Sequence, residues 1–118
     1  YMLVKNSESE FCNRVWKTDE MIYITRIKSL GFENLDRVLD LGSGCGQWSN
    51  ALSILNTYVD AVEPSYERIE FSKSKIKRKN ISYSAVNAEN IKFKNDYYDA
   101  VFCYSMIYFT DINKPGIK

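Results

Sequence analysis

Three of the five glycines in this 118-residue chain stand in one pentapeptide, Gly42-Ser43-Gly44-Cys45-Gly46. The apolar run Arg37-Val38-Leu39-Asp40-Leu41 leads into it and has the composition of a short strand. Trp48, Ala51, Leu52 and Leu55 follow at helical spacing, so a helix from Gln47 to about Asn56 leads out. A strand that turns directly into a helix needs backbone conformations that side chains forbid, and glycine also lets a ligand lie against bare main chain. An ordinary turn rarely needs three glycines, so a ligand site is the stronger reading of the loop.

The rest of the chain repeats this alternation. Thr18-Asp19-Glu20 reads as a helix start, with Met21, Ile24, Ile27 and Leu30 on one face and Gly31 as the stop. Before it, residues 1 to 18 are polar with scattered aromatics, Phe11 and Trp16. Tyr58 to Glu63 is a second strand, closed by Pro64. Ser65 is placed to cap a third helix running to about Lys77, with Ile69, Ser72 or Lys73, and Ile76 inward. Ile81 to Val86 and Asp99 to Tyr104 complete four strands. Strands that alternate with helices require a parallel sheet with right-handed crossovers, hence an α/β sandwich.

Composition excludes several functions. Lysine and arginine total 16 against 15 acidic residues, so no overall field draws nucleic acid or an anionic membrane. The run Lys73, Lys75, Lys77, Arg78 and Lys79 reads as a solvated helix end with favourable C-terminal cations. There is no histidine, which removes histidine acid–base chemistry, histidine metal ligands and the usual triads. Cys12, Cys45 and Cys103 are odd in number, far apart and without a C-x-x-C, which points away from a disulfide framework and from zinc, so no metal is expected. A reducing, cytoplasmic compartment is the expectation, and no apolar run approaches the roughly 20 residues of a membrane span.

Glu63 closes the second strand 23 residues after Asp40, where a carboxylate can accept both hydrogen bonds of a ribose diol. Dinucleotide sites want G-x-G-x-x-G or A, and the third position beyond Gly44 is Gln47. The spacing is G-x-G-x-G after Val38-Leu39-Asp40-Leu41, and together with Glu63-Pro64-Ser65 it resembles the first two motifs of class I S-adenosylmethionine-dependent methyltransferases. Asn87-Ala88-Glu89-Asn90-Ile91-Lys92-Phe93 is similar to the family's adenine-binding segment, with Asn87 in place of the usual aspartate. Tyr98-Asp99 followed by Ala100-Val101-Phe102-Cys103-Tyr104 resembles its fourth-strand block.

This resemblance implies a single Rossmann-like domain over 1–118: an N-terminal helical segment (1–35) and an incomplete core (36–118). It further implies a three-layer sandwich with strand order 3-2-1-4, ending before strands five to seven of the complete fold. The implied cofactor is S-adenosylmethionine, held by Asp40, Gly42, Ser43, Gly44, Gly46, Glu63, Pro64, Asn87, Ala88 and Cys103. Glu63 would take the ribose, Asn87 the adenine amino group, Ala88 a ring nitrogen through its amide, and Cys103 would line the methionine end. The strand-four end lacks the Asp/Asn-Pro-Pro-aromatic signature of base N-methylation. Phe102 rather than proline precedes Cys103, so a buried apolar cysteine is the better reading than a nucleophile. Tyr104 and Tyr108 can face an acceptor or simply pack. The acceptor, small molecule or macromolecule, is not legible; nor are catalytic residues. A non-catalytic S-adenosyl-binding module is the alternative to an enzyme. The fourth strand, apolar throughout and expected to be buried on both faces, calls for cover along its outer edge from a second copy, a separate polypeptide carrying the rest of the fold, or further residues of the same protein.

Overall fold

The computed structural model describes residues 2–90 and 97–104, with side chains described from Glu10 onward. Helix α1 spans Met2–Lys17 and α2 spans Glu20–Ser29; β1 (Arg37–Leu41), α3 (Gln47–Leu55), β2 (Tyr58–Val62), α4 (Tyr66–Lys75), β3 (Ile81–Ser84), a 3-10 turn (Ala88–Asn90) and β4 (Ala100–Phe102) follow. The four strands form one parallel sheet in the order β3-β2-β1-β4. That is the expected order, and it places a topological switch point at β1, whose two neighbours lie on opposite sides of it.

Local chemistry explains the helix starts. Asp19 caps α2 by accepting from the Met21 amide at 3.0 Å, and Ser65 caps α4 by accepting from the Arg68 amide at 3.3 Å. Alternation along β1 divides the core. Val38 faces a large cluster with Ile24 and Ile27 of α2, Trp48, Ala51 and Leu52 of α3, and Val59, Ala61, Ile76, Ile81 and Phe102. Leu39 and Leu41 face the other side with Val62, packed by Ala88, Tyr98 and Cys103. Helices α2, α3 and α4 thus share one face of the sheet. Asn56 and Asn80 tie the far ends of the strands: Asn56 accepts from the Leu35 amide and donates to the Phe32 carbonyl, and Asn80 donates to the Ser53 carbonyl.

The N-terminal segment 1–35 holds two helices, α2 where Thr18 to Gly31 marks one and the 16-residue α1 in the polar stretch before it. Three expectations are corrected. On α2 only Ile24 and Ile27 are buried, while Met21 and Leu30 are exposed, because α2 meets α3 along a narrow stripe. Strand β4 is three residues long and not buried on both faces: Val101 is 42% exposed. Cys12 and Cys45 are joined in a disulfide with Cα atoms 5.4 Å apart, since α1 folds back across the Gly-rich loop and a separation of 33 residues becomes a contact.

Candidate functional site

The C-terminal ends of β1, β2 and β4 converge with the Gly-rich loop. Gly42, Gly44 and Gly46 all have positive φ (79°, 57° and 93°), which is the backbone demand that the pentapeptide meets. The loop is fixed on its β2 side: the Gly42 and Ser43 amides both donate to the Val62 carbonyl, at 2.7 and 2.9 Å. The Gly44 amide donates to Glu63 Oε1 at 2.8 Å, and the Ser65 amide donates to Oε2 at 3.1 Å. Glu63 is buried, and both its oxygens keep a further lone pair for another donor.

Asp40 points to the helical face and is only 1% exposed. Ser49, on the first turns of α3, donates its hydroxyl to Asp40 Oδ2 at 2.5 Å. Burial pushes the Asp40 carboxyl up from 3.8 to about 7; the Ser49 hydrogen bond opposes this and the nearby Glu63 charge adds to it. Cys103, just past β4, is half-buried, and burial together with the Asp40 charge pushes its thiol up. A thiol held protonated is a poor nucleophile, which agrees with a lining role. On the other face the Tyr98 hydroxyl donates to Asp60, and burial first, then that bond, pushes the tyrosine's pKa up.

The structure therefore brings together Asp40, Gly42, Ser43, Gly44, Gly46, Glu63 and Cys103. Pro64 follows on the surface. Asn87 is exposed past the end of β3, and Ala88 opens the 3-10 turn and packs on the smaller apolar cluster. Gly46 has a packing duty beyond its φ: a Cβ there would lie 2.5 Å from Ser72 Oγ and 2.8 Å from Ser72 Cβ on α4. The adenine-segment residues Ile91, Lys92 and Phe93, and the tail from Ser105 through Tyr108, lie outside the described residues. Tyr104 is exposed at its edge and packs at a tilt against Trp48 with centroids 4.8 Å apart.

Three participants were not singled out from the sequence. Ser49 partners Asp40; Gln47 carries a buried side-chain oxygen with no hydrogen-bond partner; Trp16 donates its indole N–H to the Cys45 carbonyl at 2.8 Å. Ser49 sits two positions into a helix whose apolar spacing was readable, so its inward direction could have been found by counting. Trp16 carried no such signal, because α1 itself was not apparent.

Two buried polar atoms of the loop region, Ser43 Oγ and Gln47 Oε1, have no partner within the chain. Buried polar groups are normally satisfied, so orphans beside a buried carboxylate and three left-handed glycines fit a polar ligand there. Adenosine offers hydroxyls that Glu63 can accept from and needs no phosphate cradle, so the residues present fit an S-adenosyl group.

The sequence profile of a family described as methyltransferase domain matches residues 38–116. No curated protein matches the chain. Among solved structures, the YcgJ protein of Bacillus subtilis superposes with a TM-score of 0.65 at 26% identity, covering 78% of this chain and 42% of that one. An S-adenosyl-L-methionine-dependent methyltransferase of Methanococcus maripaludis gives 0.72 at 20% identity, covering 91% and 52%. A phosphoethanolamine N-methyltransferase of Haemonchus contortus, in complex with phosphoethanolamine and S-adenosylhomocysteine, gives 0.63 at 20% identity, covering 83% and 24%. The chain thus spans between about a quarter and about a half of the length of these proteins, and the two at 20% identity speak for the fold alone.

Proposed function

This chain belongs to the methyltransferase-domain family, and from that premise we propose that it binds S-adenosylmethionine and serves methyl transfer to an acceptor not identified by its residues. The observation that carries the reading is the convergence of Glu63, the positive-φ glycine loop and the orphaned Ser43 hydroxyl at the switch point beside β1. Glu63 would accept the ribose hydroxyls with the lone pairs that Gly44 and Ser65 leave free. Gly42 to Gly46, with Asp40 behind them, would hold the methionine end, and Ser43 would gain its missing partner. Pro64, Asn87 and Ala88 would flank the adenosine, and Cys103 would line the methionine side.

The bound group supplies a methyl on a sulfonium, a very good leaving group, so the chain's own residues need chiefly to position it and exclude water. No base is assigned. No described helix is long and apolar enough to cross a membrane. A cytoplasmic location belongs to the same proposal: it is supported by the free Cys103 thiol, while the Cys12–Cys45 disulfide weighs against it unless that bond is transient. Calorimetric titration with S-adenosylhomocysteine tests the pocket, with saturable one-site binding expected. Absence of binding at millimolar ligand rejects it. A radiolabelled methyl-transfer screen then separates an enzyme from a binding module.

A further inference from the structure

We propose that Cys12 and Cys45 form a redox-modification site that takes low-molecular-weight disulfides as its oxidant and, when oxidised, clamps the Gly-rich loop. Only its effect on cofactor affinity rests on the function proposed above.

Cys45 sits between Gly44 and Gly46, two residues in the left-handed region, at the most conformationally permissive point of the chain. Helix α1 holds this residue twice. Cys12 bonds its side chain, and Trp16, one turn further along α1, accepts nothing but donates to its carbonyl at 2.8 Å. From the opposite side, β2 holds Gly42 and Ser43 through the Val62 carbonyl and Gly44 through Glu63. The loop is therefore gripped between α1 and β2, and the α1 half of the grip is covalent. A staple serving stability alone could join any two elements. This one ends in the middle of the candidate site, on the residue flanked by its two freest neighbours.

Oxidation proceeds by thiol–disulfide exchange. The thiolate of one cysteine attacks a low-molecular-weight disulfide, forming a mixed disulfide and expelling one thiolate. The other cysteine, giving up its proton, attacks the protein sulfur of that mixed disulfide and expels the second. Two electrons pass from the cysteine pair to the small disulfide, and the two thiol protons end on the two small thiols released. Both cysteines are 2% exposed in the clamped form, so oxidation follows a lift of α1 from the loop in the reduced chain, whereas reduction requires a local opening that exposes the intact disulfide to a small thiol. Reduction removes the covalent tether and leaves α1 held by the Trp16 hydrogen bond to residue 45, by the packing of Trp16 on the larger core cluster and by the Tyr23 hydroxyl bond to the Val15 carbonyl.

The test is hydrogen exchange on the full chain, oxidised with glutathione disulfide or reduced with dithiothreitol. On reduction, the Gly44 to Gly46 amides should exchange about tenfold faster while those of Val38 to Leu41 and Val59 to Val62 stay unchanged. Restoring glutathione disulfide should restore the slow rates, and Cys12→Ser should match the reduced chain under both conditions. S-adenosylhomocysteine should bind the reduced chain roughly threefold to tenfold more weakly, because the loop must be ordered on binding. Identical loop rates in both redox states overturn the proposal. A rise in β1 and β2 together with the loop also overturns it, since the disulfide is then a global staple. If Cys12→Ser does not fold, the reduced parent chain supplies the same comparison. A loop that responds in a chain that binds no S-adenosylhomocysteine defeats the functional reading and leaves the redox site standing. A loop that responds without any change in affinity defeats the claim that the clamp acts on the site.

Discussion

The main-chain amide of Gly44 and the carboxylate of Glu63 are hydrogen-bonded at 2.8 Å across 19 residues of sequence, so the Gly-rich loop is docked onto the end of β2 within the chain itself. The same carboxylate receives the Ser65 amide at the start of α4. One side chain thus organises the loop and would also bind ribose, and two substitutions separate these roles.

Glu63→Ala leaves two amides without their acceptor and should cost on the order of 1 to 3 kcal/mol of stability in addition to weakening S-adenosylhomocysteine binding by about 2 to 4 kcal/mol. Glu63→Gln keeps an acceptor for one of the two amides and turns its NH2 towards the other, so it should lose about half of that stability while still binding at least about tenfold more weakly. Denaturant midpoints and calorimetry on both variants check this. An affinity unchanged in Glu63→Gln removes the ribose assignment.

Asp40 makes stability depend on pH in a direction opposite to that of most carboxylates. Its folded pKa, about 7, lies above the ordinary 3.8, so the folded chain holds the proton more tightly than the unfolded chain does. The contribution is full below about pH 4 and is lost as pH rises towards 7. Between pH 5 and 8 this group should lower the unfolding free energy by roughly 2 to 3 kcal/mol. Asp40→Asn, whose side-chain oxygen still accepts from Ser49, should abolish that decline. Urea melts at the two pH values decide the point.

Gly44→Val should prevent S-adenosylhomocysteine binding while leaving the sheet folded, because a β-branched residue at φ 57° distorts the loop without reaching the core. Circular dichroism and calorimetry together test it. A valine variant that binds like the parent marks the loop as a structural turn.

Strand β4 ends the described sheet order, and Val101 on it is 42% exposed. We expect this edge to be covered by a second copy, by a separate polypeptide or by further residues of the fold; on the chain alone, where only a second copy is on offer, light scattering should show mass rising with concentration. A monomer at millimolar concentration, with the Val101 and Phe102 amides slow to exchange, would refute the expectation.

The core of the fold was legible because its signals are local. Strand β1 matches the Arg37 to Leu41 run, the Ser65 cap starts α4, and the order β3-β2-β1-β4 follows the family resemblance. Glu63 and the glycines could be picked out because their spacing is fixed by one strand–loop–helix unit. What was missed depends on contacts across long separations. Helix α1 is polar on average and is placed by Cys12 and Trp16 meeting Cys45, about 30 residues away, which no spacing rule within a single element records. The shortness of β4 and the exposure of Val101 likewise depend on what packs against that strand, whereas its composition speaks only of what could.

The missing side chain at Gly46 and the small one at Ser72 are a matched pair, one making room for the other where α4 crosses the start of α3. For anyone recombining related domains, this makes the interval from the first strand to the end of α4 an indivisible cassette. A crossover placed between positions 46 and 72 could join a glycine loop from one parent to a bulkier helix from another. Such a hybrid would keep every motif intact and still fail to close, because the space between the two elements was shaped jointly.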